Sequence, residues 1–295
     1  MFTGLSAFPL TPLQDDTVDE PAFARLVQRL AESDVDSIAV LGSTGSYAYL
    51  RARERQRVAE LAAEHSGTKP LIVGVGALRT SDVLANVRSA EESGAAGILL
   101  APMSYQPLTE DEVFGLFREV TGSTEVPVIV YDNPGTTRFT FSTELYGRIA
   151  ELSGIASIKI PPPPAGQAQE RIRSVRAVIP ENVTLGISGD AAAADGLNAG
   201  CDVWYSAVAG TLPEPAARIM RTVREGRSGD AVAESERLAP LWELFAQHGS
   251  LRVIAAIAEE LGLAPRNCLP LPVQGLGAAQ RRRVAGALES LGLMA

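Results

Sequence analysis

Eight short apolar runs of β type alternate with amphipathic helical stretches through most of the chain, and this alternation limits the fold more than any other feature. The runs are Gly4 to Leu10, Ser37 to Leu41, Leu71 to Val75, Gly97 to Ala101, Val126 to Tyr131, Ile155 to Ile160, Val183 to Ile187 and Asp202 to Ser206. Helix candidates follow them: Glu20 to Glu32, Ala52 to Glu64, Ser81 to Ser93, Glu110 to Val120, Ser142 to Leu152, Gln167 to Val178, Ala191 to Ala199 and Glu214 to Gly226. Thr80 with Ser81, Thr109, and Ser142 with Thr143 read as helix N-caps. The strands are near-continuously apolar, the pattern of a sheet covered on both faces. Eight strand–helix units of this kind imply an α/β fold, a closed parallel (β/α)8 barrel. An open doubly wound sheet is the alternative, but it usually carries a glycine-rich dinucleotide turn after its first strand, and AFPLTPLQDD is not one.

From about Ser228 the strands stop, and Leu238 to Gln247, Leu251 to Leu261 and Ala278 to Leu291 read as three further helices. No Pro/Gly/Ser-rich linker divides the chain. The expected organisation is residues 1–227 as the barrel and 228–295 as a C-terminal helical extension packed on it, one structural unit.

Several function classes are disfavoured by composition. The net charge of −9, without Lys/Arg clusters, suits neither nucleic acid nor an anionic membrane. No apolar run reaches the length of a membrane span and no signal peptide opens the chain, so a cytoplasmic protein is expected. Cys201 and Cys268 lie among apolar residues and read as small core side chains. The only histidines, His65 and His248, are far apart, which argues against a histidine-based metal site or triad.

Of the 26 basic residues only two, Lys69 and Lys159, are lysine. Lys69 lies in the polar turn HSGTKP, where a solvated ammonium needs no explanation. Lys159 closes the apolar strand IASIKI. An ion pair at that position would be served equally well by arginine, which this chain otherwise prefers. Burial instead depresses a lysine's pKa toward the range where the amine is a nucleophile.

Active sites of parallel barrels assemble at the C-terminal strand ends. Strand two ends in GSTGS, where Ser43 and Thr44 offer hydroxyls and Gly42 and Gly45 leave backbone amides able to face an anion. Strand five places Tyr131 at the rim before a Pro-Gly turn. Strand seven runs into GISGD, where Gly189 removes bulk and Asp190 is expected to cap the next helix. Strand eight brings Tyr205 and Ser206 to the rim.

These segments together resemble the dihydrodipicolinate synthase / N-acetylneuraminate lyase superfamily of pyruvate-dependent (β/α)8 enzymes. The resemblance runs from SAFPLTPLQDD through VLGSTGSYAYL, PLIVGVG, GAAGILLAP, PVIVYDNPGTT, IASIKI and LGISGDAAAADGLNAGCD into the helical tail. It implies that Lys159 forms an imine with pyruvate and that Tyr131 gives and takes protons beside it. It also implies that Thr44 and its loop hold the pyruvate carboxylate, that Ser43 takes the relay hydroxyl position, and that Tyr205 offers a backbone carbonyl. No metal or organic cofactor is implied, because the protonated imine is itself the electron sink. The partners implied are a 2-oxo acid, an aldehyde, and further copies of the chain in a homodimer or a dimer of dimers.

The acceptor side departs from the pattern. Ser46 stands where an acidic residue usually follows the loop, and Ile160 and four prolines follow the lysine. The synthases carry an aromatic pair after strand four, one ring of which enters a partner's site; here Ser104 aligns with that ring and Tyr105 reaches it only by a one-residue slip. Thr136 replaces the arginine that holds the acceptor carboxylate, with Arg138 two residues on. The first expectation is therefore a Schiff-base lyase or aldolase, with a sugar-acid-like 2-oxo acid favoured. Dihydrodipicolinate synthase activity proper is the runner-up. The alternatives of other classes are a non-catalytic 2-oxo-acid-binding barrel and a phosphate- or flavin-binding barrel.

Overall fold

A computed structural model describes residues 2–294, so the outermost residues of the two expected units, Met1 and Ala295, lie outside it. Eight parallel strands close into a barrel: β1 Gly4–Ala7, β2 Ser37–Val40, β3 Leu71–Gly74, β4 Gly97–Leu100, β5 Val128–Tyr131, β6 Ile155–Ile160, β7 Thr184–Ile187 and β8 Val203–Ser206. Each pairs with its sequence neighbour, and β1 closes the ring against β8. The (β/α)8 expectation holds. Strand one is shorter than its apolar run, ending at Ala7; Phe8 N still donates to Ser206 O at 2.9 Å, but Pro9 has no N–H to continue the ladder. A tight antiparallel hairpin, Leu13–Gln14 against Thr17–Val18, follows; it turns through Asp15 and Asp16, both at positive φ.

Successive residues in each strand face opposite ways. Ile38, Val40, Ile98, Leu100, Val128 and Val130 join the shell between strands and helices. Ala39, Ile72, Leu99, Ile129, Tyr131, Val203 and Tyr205 fill the interior. At 1.5–3 kcal/mol per fully buried large aliphatic or aromatic side chain, by the usual rough estimate, both layers contribute heavily to holding the ring closed.

One irregularity sets the chemistry. Val128 pairs with Ile155, but Ile129 pairs with Ser157, so β6 carries one extra residue there. This bulge resets the phase of β6. Ile158 and Ile160 join the outer shell, while Ser157 and Lys159 share the inward face with Tyr205 and Tyr131. Without the extra residue Lys159 would point at the helices.

The caps at Thr109 and Ser142 form as expected, each side chain accepting a backbone N–H. The helix expected to be capped by Thr80 or Ser81 instead starts at Thr80, with Arg79 at the cap and no side-chain cap bond. Among the described residues the C-terminal region holds four helices, one more than expected: Ser228–Arg237, Ala239–His248, Ser250–Glu260 and Ala278–Ser290. The first of these gives little sequence signal because SGDAVAESER has no large apolar side chain beyond Val232 and buries only Ala231 and Ser235. The tail is tied to the barrel entrance by Leu13 N donating to Cys268 O at 2.9 Å, and a buried Arg281–Glu259 ion pair joins its last two helices. Among the described residues no helix is long and apolar enough to cross a membrane.

Candidate active site

Lys159 is 4 % exposed, and its Nζ lies 3.8 Å from the centre of the Phe8 ring, 4.1 Å from Tyr131 and 5.6 Å from Tyr205. Three strand ends build this aromatic cage. Phe8 reaches the lysine because Gly42 has no Cβ; one added there would sit 2.7 Å from the Phe8 ring. The Tyr205 ring likewise occupies the space a Cβ on Gly186 would need, and its hydroxyl meets Ser157 Oγ at 2.7 Å. Among the described residues Lys159 forms no ion pair. Burial disfavours its charged form and pushes its pKa down to about 7, partly offset by the nearby Asp190 carboxylate. A lysine in this setting is substantially neutral at neutral pH and therefore nucleophilic.

Tyr131 lies directly across the β5–β6 ladder from Lys159, and Asp132 N donates to Lys159 O at 3.0 Å, locking the two strand ends together. The Tyr131 hydroxyl is 3.4 Å from Ser43 Oγ. Burial pushes its pKa up to about 12, against opposing hydrogen bonds from Ser43 and Asn133. Asn133 Nδ2 donates to both hydroxyls, at 2.9 Å to Tyr131 and 3.1 Å to Ser43.

The Gly42–Ser46 loop begins at Leu41 in the left-handed region and ends at Ser46 in the same region. Ser46 and Tyr47 N–H groups return to the carbonyls of Ser43 and Gly42, while those of Thr44 and Gly45 donate to no carbonyl among the described residues. With the buried Thr44 side chain they leave donors of the kind a carboxylate requires. Ser46 Oγ is buried without a partner.

Asp190 is not the helix cap expected of it. It accepts from Ser206 Oγ at 2.8 Å and from Trp204 Nε1 and Val208 N at 3.1 Å each, bracing the end of β8 from behind the lysine. Burial pushes its carboxyl up while these donors and Lys159 hold it down. Tyr205 and Ser206, expected at the rim, are both below the surface, Tyr205 in the interior and Ser206 bound to Asp190. Gly189, at φ +81°, packs against Pro162.

Lys159, Tyr131, Ser43 and Tyr205 thus come together, with Thr44 in the adjacent loop. Tyr105 and Arg138 do not join them in the single chain. Tyr105 is 90 % exposed, and Arg138 is exposed in the left-handed region at the end of a short helix, Pro134–Thr137, that replaces the expected turn. Sequence reasoning missed Phe8, Asn133 and the bracing role of Asp190. Asn133 had a readable signal: two residues beyond Tyr131 in extended chain, it falls on the same face.

Comparison with known proteins bears on the family and the fold. The model of the Dihydrodipicolinate synthetase family matches residues 1–291. A 4-hydroxy-tetrahydrodipicolinate synthase of Methylococcus capsulatus is 30 % identical over 287 residues, covering 96 % of this chain and 97 % of that one. The crystal structure of a dihydrodipicolinate synthase from Agrobacterium tumefaciens is 44 % identical with a TM-score of 0.95, covering 98 % of each chain. The chain belongs to the dihydrodipicolinate synthetase family.

Proposed function

We propose that the protein is a lyase or synthase that joins Lys159 to pyruvate or a related 2-oxo acid as a Schiff base and makes or cleaves a carbon–carbon bond to an aldehyde. The observation that carries this reading is a buried lysine that forms no ion pair among the described residues, caged by rings and ladder-paired with a buried tyrosine. The neutral amine adds to the ketone carbon, giving a carbinolamine. Tyr131 protonates the departing hydroxyl, water leaves, and the products are an iminium on Lys159 and a phenolate. The phenolate then removes a methyl proton and the enamine forms. Attack on an aldehyde creates the new bond while Tyr131 returns its proton to the alkoxide. Thr44 and the Gly42–Ser46 backbone hold the carboxylate.

The acceptor is read by elimination. Thr136 stands in place of the arginine expected for an acceptor carboxylate, Arg138 is exposed to solvent, and Pro161 to Pro164 have no N–H donors to offer. These features favour an acceptor other than the one implied by the relatives' names. The second reading, 4-hydroxy-tetrahydrodipicolinate synthase proper, is favoured by those names themselves. On either reading the chain works in the cytoplasm as a homo-oligomer; Tyr105 is exposed in the single chain.

The test is covalent trapping. Incubation with pyruvate and borohydride is expected to add one reduced pyruvyl group, mapped to the peptide containing Lys159. If pyruvate and other simple 2-oxo acids leave no adduct, or the adduct maps to Lys69, the reading fails and a non-catalytic binding barrel replaces it.

A further inference from the structure

Asn133 closes a triangle whose other corners come from two different strand ends. Its Nδ2 donates to Tyr131 Oη and to Ser43 Oγ, which themselves stand 3.4 Å apart. An amide N–H neither gains nor loses a proton near neutral pH, so Asn133 relays nothing. It fills one acceptor position on each hydroxyl oxygen and leaves each hydroxyl its own proton to give. The Tyr131 proton can pass to substrate or to Ser43, never to the amide. Once Tyr131 has lost that proton, the amide bond to it becomes charge-assisted and stronger. Ser43 contributes in the same direction, and burial opposes both.

The arrangement is also complete within one chain. At position 104, where an aromatic ring is expected after β4, the serine hydroxyl donates to Gln106 O at 2.6 Å in its own loop. Tyr105 is exposed. The third group beside Tyr131 and Ser43 is therefore Asn133.

We propose that Asn133 is a positioning residue for the acid–base step, holding Tyr131 and Ser43 as one unit and stabilising the phenolate between loss of water and deprotonation of the methyl group. The inference rests on the Schiff-base reading above. Because enamine formation precedes the aldehyde, it is measurable with pyruvate alone, as exchange of the methyl hydrogens for deuterium.

Exchange in D2O, followed by proton NMR across pH, is to be compared with borohydride trapping for the parent protein, Asn133→Ala and Asn133→Asp. Asn133→Asp conserves size, so a folding defect in Asn133→Ala does not remove the test. Both variants are expected to keep the Lys159 adduct. Exchange should fall about ten-fold in Asn133→Ala and further in Asn133→Asp, with its pH profile displaced to the alkaline side. Exchange within about two-fold of the parent with an unmoved pH profile overturns the proposal, as does an Asn133→Asp that matches the parent, since the amide oxygen would then be the group facing the hydroxyls. A parent protein that leaves no adduct sinks the Schiff-base reading and this inference together. An adduct with unaltered exchange sinks the role of Asn133 alone.

Discussion

The two ends of the candidate site are built from different materials. The imine end, Lys159, Tyr131, Phe8 and Tyr205, stands on strands or the residues just after them, every member is under 9 % exposed, and ladder pairing fixes the geometry. The acceptor end, Thr136, Arg138 and Pro161 to Pro164, stands on a one-turn helix and a loop, and is largely open to solvent. Strand ends cannot move without disturbing the barrel ladder, whereas loops change at little cost to the fold. On the proposed function, the difference teaches which half of the site the barrel ladder holds in place and which half is free to change.

Substitutions at the imine end should break that comparison most visibly. Lys159→Met is expected to abolish trapping altogether while stabilising the fold. The unfolded chain holds its lysine proton up to about pH 10.5, whereas the folded one releases it at about 7. Between those values the unfolded state binds more protons at this site, so the lysine's own contribution to stability rises with pH across that window; below it the lysine costs a constant amount. Removing the lysine should recover on the order of 3–5 kcal/mol at neutral pH and flatten this dependence, as read by denaturant unfolding at pH 6 and pH 10. A variant no more stable than its parent would mean that the amine is not held desolvated.

Tyr131→Phe keeps the ring against Lys159 and removes only the hydroxyl. Methyl exchange should fall about 10²- to 10⁴-fold while the adduct still forms, more slowly. Unchanged exchange would move the acid–base role elsewhere. At the other end, Arg138→Ala should leave stability within about 0.5 kcal/mol and trapping unchanged, altering at most the choice of aldehyde. Loss of the pyruvate adduct in this variant would erase the distinction between the two ends.

The same division explains what the sequence made legible. The barrel could be read because eight apolar runs must be buried on both faces, and Lys159 because an arginine-rich chain retained a lysine at a strand end. Tyr131, Ser43 and Thr44 stand out as candidates because barrel chemistry gathers at those ends, and the family resemblance supplies their implied roles. Asp190 was misread because a carboxylate before a helix usually caps it, and only the fold reveals Trp204 and Ser206 as its partners. Phe8 was passed over because an apolar residue after an apolar strand looks like core until Gly42 is seen to admit it to the lysine. The bulge in β6 left no local mark, since Ala156 and Ser157 suit either face.

The central claim is that burial in an aromatic cage makes Lys159 the nucleophile. Lys69, whose Nζ donates to Val35 O at 2.8 Å in a partly exposed turn, is the comparator in the same chain. The most direct measurement is the initial rate of borohydride-trapped pyruvate adduct on each lysine peptide from pH 5 to pH 10. The account predicts adduct on Lys159 alone, rising with a midpoint near 7. A midpoint above about 9, or equal labelling of Lys69, would contradict it.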